Sequence, residues 1–338
     1  MAKRRELSAC AHAIKKAIEE GTLPEAFTGH EEELCEGALR GGDVDRLGGV
    51  DEWIKWLGWS SVELNEDDYM KVAVRALRNA QKFAATDYGT SRQRDLGQLW
   101  TDTIRGYLGE TAFAKWLNLT FGIKVELDYS VGKLEQYLPS DIKTVNGRKP
   151  RLNISVKTTK LSGIWLDVPG KQFEHSDAFV LVRIGVPREH FVAFLKLISA
   201  IKDKLLKPAS EKGMISDAEA EQLWEEIPDF RPVPAYIAGF LDKSAPEGSI
   251  RVGEVREADG EVKRKKVVLN RFLGFWDPAD SRYGDEVRRL LSSKGKRAEG
   301  MSLEFEGIGG FSGGLHFIAS SGFLEKKREG WQELIAKL

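Results

Sequence analysis

The pattern of hydrophobic and polar positions divides the chain into a helical first part and a strand-rich remainder. Apolar residues recur at helical spacing over 6–21, 49–59 and 65–89, and a longer helix is predicted over 96–117. Alternating apolar and polar residues between turn residues then predict strands over 123–130, 140–145, 151–159, 164–168 and 177–185. The succession of helices and strands predicts an α/β fold.

The last third mixes helices and strands. Ser216 is the expected N-cap of a helix over 216–227, and strand-like segments begin near residue 231. One further helix is predicted near 284–293 and another at the end of the sequence. We therefore expect a helical N-terminal region over 1–95, a central core over 96–230 and an α+β C-terminal region over 231–338.

Charge gives no overall indication of a partner. The 338 residues carry a net charge of −1, from 51 basic and 52 acidic side chains. Short basic segments in such a protein can still bind a polyanion locally, although a solvated strand face is an equally good explanation. The candidate DNA contacts are Lys263, Arg264, Lys265 and Lys266.

The sequence contains no apparent membrane or secretion signal. It has no apolar run of about 18 residues, and its first 20 residues are too charged to supply the apolar part of a signal peptide. We therefore expect a cytoplasmic protein with no membrane partner. Cys10 and Cys35 lie far apart without a CxxC or Cys/His spacing, so we expect buried thiols rather than a disulfide or a zinc site.

One carboxylate lies within the apolar stripe of the helix predicted over 96–117. At about 100° per residue, Leu99, Tyr107 and Leu117 lie on one side of this helix and Arg105 points away. Glu110 lies inside the stripe, where a charge is costly unless it is paired or binds a cation. A Glu at the edge of the stripe that forms a salt bridge is the structural alternative.

The segment LNISVKTTK, residues 152–160, places a lysine on the polar face of a predicted strand. Period-two alternation puts Ser155 and Lys157 on the face opposite Val156. A chain reversal centred near Arg148 would set Asp141 across from Ser155, so that Asp141 and Lys157 share a face. Two carboxylates and a lysine in this arrangement could hold a divalent cation and orient water for phosphodiester hydrolysis.

Four segments together resemble the PD-(D/E)XK nuclease superfamily, to which many restriction endonucleases belong. They are GYLGETAFAKWL at 106–117, PSDI at 139–142, ISVKTTK at 154–160 and DAFVLVRI at 177–184. The resemblance covers about residues 96–185. It implies a restriction-endonuclease-like mixed sheet flanked by helices, with the catalytic core within 96–230 and a role for 231–338 in DNA recognition or dimerisation.

The resemblance also implies a role for individual residues. Asp141 corresponds to the metal-binding Asp of the first motif, Lys157 to the lysine that orients water, and Glu110 to the carboxylate of the preceding helix. Mg²⁺ would be held by Asp141, Glu110 and the carbonyl of Val156. The residues expected beside this site are Ser155, Lys160 and Glu174.

The sequence departs from the family pattern at two positions. Pro139 stands one residue further from Asp141 than expected, and Ser155 occupies the position of the family's second carboxylate. Some restriction enzymes with Ser-Val-Lys take the missing carboxylate from elsewhere, including a downstream helix. The candidates are Glu110, Asp167 and Glu174. We favour Glu110 because its helical phase directs it inward.

The function implied by the resemblance is Mg²⁺-dependent, sequence-specific cleavage of double-stranded DNA by a type II restriction enzyme. A palindromic recognition site would imply a homodimer with two-fold symmetry. One alternative is a junction or repair nuclease of the same fold. Another is a DNA-binding protein with a decayed nuclease fold, which Ser155 favours and Glu110 argues against.

Overall fold

The structure is a computed structural model that describes residues 2–86, 95–130, 140–246, 248–309 and 314–338. The first part contains α1 (Ala2–Glu19), α2 (Glu31–Gly41), α3 (Asp43–Leu47), α4 (Val50–Ser60), β1 (Ser61–Leu64) and α5 (Glu66–Thr86). The middle part contains α6 (Leu96–Phe121), β2 (Val125–Leu127), β3 (Ile142–Val145), β4 (Ile154–Lys160), β5 (Trp165–Pro169), α7 (Gly170–His175), β6 (Ala178–Ile184), α8 (His190–Leu197), α9 (Lys207–Glu211) and α10 (Asp217–Glu226). The last part contains β7 (Val233–Asp242), β8 (Val255–Lys263), β9 (Lys266–Trp276), α11 (Ser281–Ser293), β10 (Ser302–Phe305), β11 (His316–Ser320) and α12 (Arg328–Lys337).

Most predicted elements are present, and several begin or end at the expected kind of residue. The side chain of Asp95 caps α6 by accepting a hydrogen bond from the Gln98 N–H at 2.8 Å, and Ser216 caps α10 as predicted. Strand β1 was not predicted. Its four residues are too short a segment for alternation to stand out between two helices.

The central sheet is mixed and takes strands from all three regions expected from the sequence. Its order is β1-β7-β6-β4, with β4 parallel to β6 and the other neighbours antiparallel. Helices cover both faces, because residues of α5 and α6 pack with one set of sheet side chains and residues of α1, α2 and α4 pack with the other. The expectation of an α/β fold with a mixed sheet flanked by helices is therefore confirmed.

A second sheet lies beyond β4 in the chain and carries part of the candidate site. Its order is β10-β9-β11-β5, and β8 pairs with β9. Strand β5 follows β4 after a short turn and pairs with β11 in antiparallel register. Helix α11 packs on this sheet through Val287 and Leu291. A separate two-stranded sheet joins β2 and β3.

A buried ion cluster links the first, middle and last parts of the chain. Asp43 of α3 contacts Arg183 of β6 at 2.9 Å and Lys326 before α12 at 2.9 Å. These three side chains are between 0% and 1% exposed. Burial acts to raise the pKa of Asp43, but the charges of Lys326 and Arg183 outweigh it and hold this pKa below its ordinary value.

The two cysteines correct the prediction made from their spacing. Cys10 of α1 and Cys35 of α2 form a disulfide, so the expectation of two free thiols is wrong. The helices pack against each other, which brings together two cysteines separated by 25 residues. No motif marks this separation, because the proximity comes from helix packing.

Within the described ranges, no helix is both long and apolar enough to cross a membrane.

Candidate active site

Helix α6 crosses strand β4 at a glycine. A Cβ atom placed on Gly109 would lie 1.9 Å from the Thr158 Oγ1 atom, so any larger residue would push the helix away. The Thr158 hydroxyl also donates a hydrogen bond to the Gly106 carbonyl at 3.0 Å. This close approach holds Glu110, the next residue of α6, near the edge of β4.

The buried side of α6 differs from the stripe predicted for it. Leu99 and Leu117 are buried as expected, but Leu108 and Phe113 are also buried on the other side, because α5 and the sheet both cover the helix. The predicted buried stripe of α6 is therefore correct near the ends of the helix and wrong in its middle.

Glu110 is partly buried, and its Oε2 atom is inaccessible and has no hydrogen-bond partner among the described residues.

Asp141 reaches β4 by a route that differs from the predicted hairpin. The chain reverses at Asn146 and Gly147, but β3 pairs with β2 instead of β4. Asp141 nevertheless lies beside β4, because its N–H donates to the Ile154 carbonyl at 2.9 Å and its Oδ2 accepts from the Val156 N–H at 2.6 Å. Pro139, the other motif residue, lies outside the described residues.

The backbone of Val156 faces Asp141. In a strand, the N–H and C=O of one residue point to the same side. The Val156 N–H points away from β6 and toward the Asp141 carboxylate, so the Val156 carbonyl lies on the same free edge of β4. Two carboxylates and a main-chain oxygen are therefore directed to one region.

Lys157 is held by a hydrogen-bond network that the sequence did not reveal. Its Nζ atom donates to the Gln172 Oε1 atom at 2.6 Å, and the Gln172 Nε2 donates to the Ser155 Oγ atom at 3.0 Å. The Ser155 hydroxyl in turn forms a hydrogen bond that lowers the pKa of Asp141. Ser155 and Gln172 thus connect the candidate metal ligand to the candidate lysine.

The charged groups of the site strongly affect one another. Burial, and then the charge of Asp141, raise the pKa of Glu110 well above its ordinary value. Burial also raises the pKa of Asp141, although Lys157 and the Val156 N–H oppose this. Burial lowers the pKa of Lys157 against the attraction of the carboxylates. The site therefore places two carboxyl groups beside one lysine, in surroundings that disfavour the charged form of each.

Asp128 is a further carboxylate that sequence reasoning missed. Its charge contributes to the raised pKa of both Glu110 and Asp141, and its N–H donates to the Asp141 carbonyl at 2.9 Å. In the sequence it is only a polar residue at the end of a predicted strand. Its position depends on the contact between the chain after β2 and the start of β3, which no local pattern encodes.

The two other carboxylates considered as replacements at Ser155 lie in different surroundings. Asp167 of β5 contacts His316 at 2.8 Å, and its charge acts on Lys157. Glu174 lies on the exposed side of α7, where its carbonyl accepts a hydrogen bond from Lys243. The side chain that α7 directs toward Ser155 and Lys157 is that of Gln172.

Lys160 and the basic tetrad lie away from the two carboxylates. Lys160 is exposed at the end of β4, where it lines a cavity of about 380 Å³ together with Lys157 and Asp167. Lys263, Arg264, Lys265 and Lys266 form the β8–β9 turn. Lys263 pairs with Glu261 and Lys266 pairs with Glu304. At about 3.3 Å per residue, this turn lies roughly 25 Å along β9 from the β9 position that is in register, through β11, with Asp167 of β5.

The donor atoms fit a hard divalent cation. Among the described residues, no three Asp, Glu, His or Cys side chains form a group that could hold a metal ion. Mg²⁺ in proteins is commonly bound by one or two carboxylates, with water and substrate phosphates completing its shell. Asp141, Glu110 and the Val156 carbonyl provide such a set, and the unpartnered Glu110 Oε2 atom is an oxygen that a cation would satisfy.

Comparisons with known proteins do not identify a relative. The chain matches no protein-family model, and neither a search of curated proteins nor a search of solved structures found a similar protein.

Proposed function

We propose that this protein is a Mg²⁺-dependent DNA endonuclease of the PD-(D/E)XK type. The observation that carries the proposal is the unpartnered, buried oxygen of Glu110 beside Asp141, with Lys157 acting on both carboxylates. Holding these groups together without a cation costs free energy. Such an arrangement is expected where a cation and a phosphate complete the site.

Each residue has a defined role in the proposed reaction. Asp141 and Glu110, with the Val156 carbonyl, would hold Mg²⁺, and the bound ion would polarise the scissile phosphate and promote the ionisation of water. Lys157 orients the attacking water and offsets charge on the phosphate as the water oxygen bonds to phosphorus and the P–O bond to the leaving end of the strand breaks. The proton lost by the water passes to solvent, and the leaving oxygen takes up a proton from solvent. Gln172 fixes the direction of the Lys157 ammonium, because its carbonyl oxygen accepts one of the three N–H groups.

The finer assignment is a type II restriction enzyme that cuts double-stranded DNA as a homodimer. It follows from the resemblance of 96–185 to restriction endonucleases and from the two-fold symmetry of palindromic sites. A restriction-endonuclease-like fold is part of the same proposal. A junction or repair nuclease would use the same residues on a different substrate.

A second candidate function is DNA binding without cleavage. Ser155 stands where the family usually has a carboxylate, and its hydroxyl forms a hydrogen bond with Asp141. A site that had lost its second acidic ligand would have this feature. The two candidates differ in whether Asp141 is needed for any chemistry.

Plasmid cleavage tests the proposal. The protein is incubated with supercoiled plasmid in Mg²⁺ or in EDTA, and Asp141→Asn and Lys157→Ala are compared with the exposed control Asp203→Asn. We expect discrete fragments from the wild type and the control, and rates about 10²–10³ lower from each site variant. Nicks confined to branched DNA would indicate the junction nuclease, and binding without cleavage would indicate the second candidate. An Asp141→Asn variant that cleaves at the wild-type rate would contradict the assignment.

A further inference from the structure

A second feature, the basic cleft, lies beside the candidate site. It is a cavity of about 920 Å³ between α5, the second half of α6 and the β2–β3 sheet. Basic side chains outnumber the three acidic ones that line it. We define the basic cleft by its basic residues Lys71, Arg75, Arg78, Lys115, Lys124 and Lys143.

Among the described residues, most of this positive charge has no acidic partner. Lys115 pairs with Asp68 at 2.7 Å, whereas the other five basic side chains make no ion pair with any described residue. Lys71, Arg75 and Arg78 are exposed on one face of α5, at spacings of four and three residues. Like charges at these spacings repel one another in an isolated helix. An anionic partner would relieve this repulsion.

The basic cleft is continuous with the candidate site. Asp128 and Tyr129 line the cleft, and the N–H of Asp128 donates to the carbonyl of Asp141. Arg75 lies over the Tyr129 ring at 4.2 Å. Asn79 of α5 donates hydrogen bonds to the Tyr129 carbonyl at 3.0 Å and to the Tyr107 hydroxyl at 2.6 Å. These contacts fix the basic face of α5 relative to the carboxylates.

We propose that the basic cleft binds the phosphate backbone of the DNA strand that enters the candidate site. The inference rests on the proposed nuclease function and assigns the binding surface that this function requires. From Lys71 to Arg78, α5 extends about 10 Å, and one DNA strand carries a charge every ~3.4 Å along the helix axis. Laid along the axis of a duplex, the basic face of α5 would therefore span about three successive phosphates.

This surface differs from the one expected from the sequence. The tetrad Lys263, Arg264, Lys265 and Lys266 is more concentrated in the sequence, but two of its members already pair with glutamates. The basic cleft is dispersed over 71–143 and becomes a single surface only in the fold. Contacts with phosphates carry no base information, so the basic cleft provides affinity and register rather than sequence specificity.

The test measures DNA binding separately from cleavage. The full-length variant Lys71→Gln/Arg78→Gln/Lys143→Gln leaves the Arg75–Tyr129 contact in place. Its affinity for a fluorescent 30-base-pair duplex is measured by anisotropy in Ca²⁺ at several salt concentrations. The control is Lys204→Gln/Lys207→Gln/Lys212→Gln, which removes three exposed lysines elsewhere. A third variant, Lys263→Gln/Arg264→Gln/Lys265→Gln, removes three charges of the β8–β9 turn.

We expect the cleft variant to bind DNA at least ~10-fold more weakly than the wild type at low salt. The magnitude of the slope of log K against log salt concentration should fall by about 2–3, since each phosphate contact contributes ~0.9 to it. The lysine control should bind as the wild type does. Wild-type binding by the cleft variant would overturn the proposal, as would a loss confined to the β8–β9 variant. If the wild type binds through the cleft but never cleaves, the cleft assignment stands and the nuclease proposal fails.

Discussion

The state of Glu110 leads to a prediction about stability that does not depend on catalysis. Its folded-state pKa is raised by burial and by Asp141 above the ordinary value of 4.5. A carboxyl with a raised pKa contributes stability that is fully present below its unfolded pKa and is lost as pH rises through the folded pKa. The metal-free protein should therefore lose stability as pH rises above about 4.5. Glu110→Gln should remove the part of this loss that comes from Glu110, whereas Asp141, whose pKa burial also raises, keeps its own part.

The expected change in the free energy of unfolding follows from the buried, unpartnered oxygen of Glu110. A buried polar atom without a hydrogen bond costs about 1–3 kcal/mol, and a charged one costs more. The amide introduced by Glu110→Gln keeps the side-chain volume and loses the charge, so we expect the variant to be more stable than the wild type by about 1–2 kcal/mol at pH 8. For 338 residues at ~2.1 cal/mol/K each, 1 kcal/mol corresponds to about 1.4 °C in Tm. The Tm should therefore rise by about 1.5–3 °C.

Added Mg²⁺ should reverse this order. At a concentration 100 times its Kd, a ligand that binds only the folded protein stabilises it by about 2.7 kcal/mol, or about 4 °C here. The wild type should gain this stabilisation from Mg²⁺, and the Glu110→Gln variant should gain much less.

The assay is thermal unfolding at pH 4, 6 and 8, in EDTA and in Mg²⁺, with the exposed Glu333→Gln as the matched control. Two results would refute the reasoning: a variant less stable than the wild type at pH 8 in EDTA, or equal stabilisation of both proteins by Mg²⁺.

Two further predictions concern groups that the structure revealed. Gln172→Leu should lower the cleavage rate about 10-fold with little change in DNA affinity. Gln172→Glu should keep more activity and move the pH–rate profile to higher pH, because an added negative charge raises the pKa of Lys157. An unchanged pH–rate profile would contradict the contact between Gln172 and Lys157. Lys326→Met should lower the free energy of unfolding by about 3–5 kcal/mol in urea titrations, because it leaves Asp43 with one cationic partner. The control is the exposed Lys327→Met. A loss no larger than that of the control would show that the buried ion cluster contributes little to stability.

Local patterns predicted the elements well and their connections less well. The polar cap at Ser216 and the alternation around Val156 are properties of a few neighbouring residues, so the sequence alone was enough to predict them. Strand β1, the pairing of β3 with β2 and the Cys10–Cys35 disulfide depend on which segments meet in space. Such contacts are set by the packing of the whole chain.

The candidate site shows the same division. The sequence pointed to Asp141, Lys157 and Glu110, and the structure places charges from all three within reach of one another. It could not point to Gln172 or Asp128. A glutamine two residues before Glu174 has no distinguishing local pattern, and it joins the site only because α7 turns its buried side toward Ser155.

The pairing of β1 with β7 has a consequence for the order of synthesis. Ser61 lies opposite Tyr236, so the sheet joins residues separated by 175 positions. Strand β6, buried along its whole length, pairs with β7 on one side and with β4, which carries Lys157, on the other. A ribosome that has made only residues 1–230 has supplied every residue proposed for catalysis but not β7, the strand between β6 and β1. The proposed nuclease should therefore remain inactive on the nascent chain until β7 has emerged.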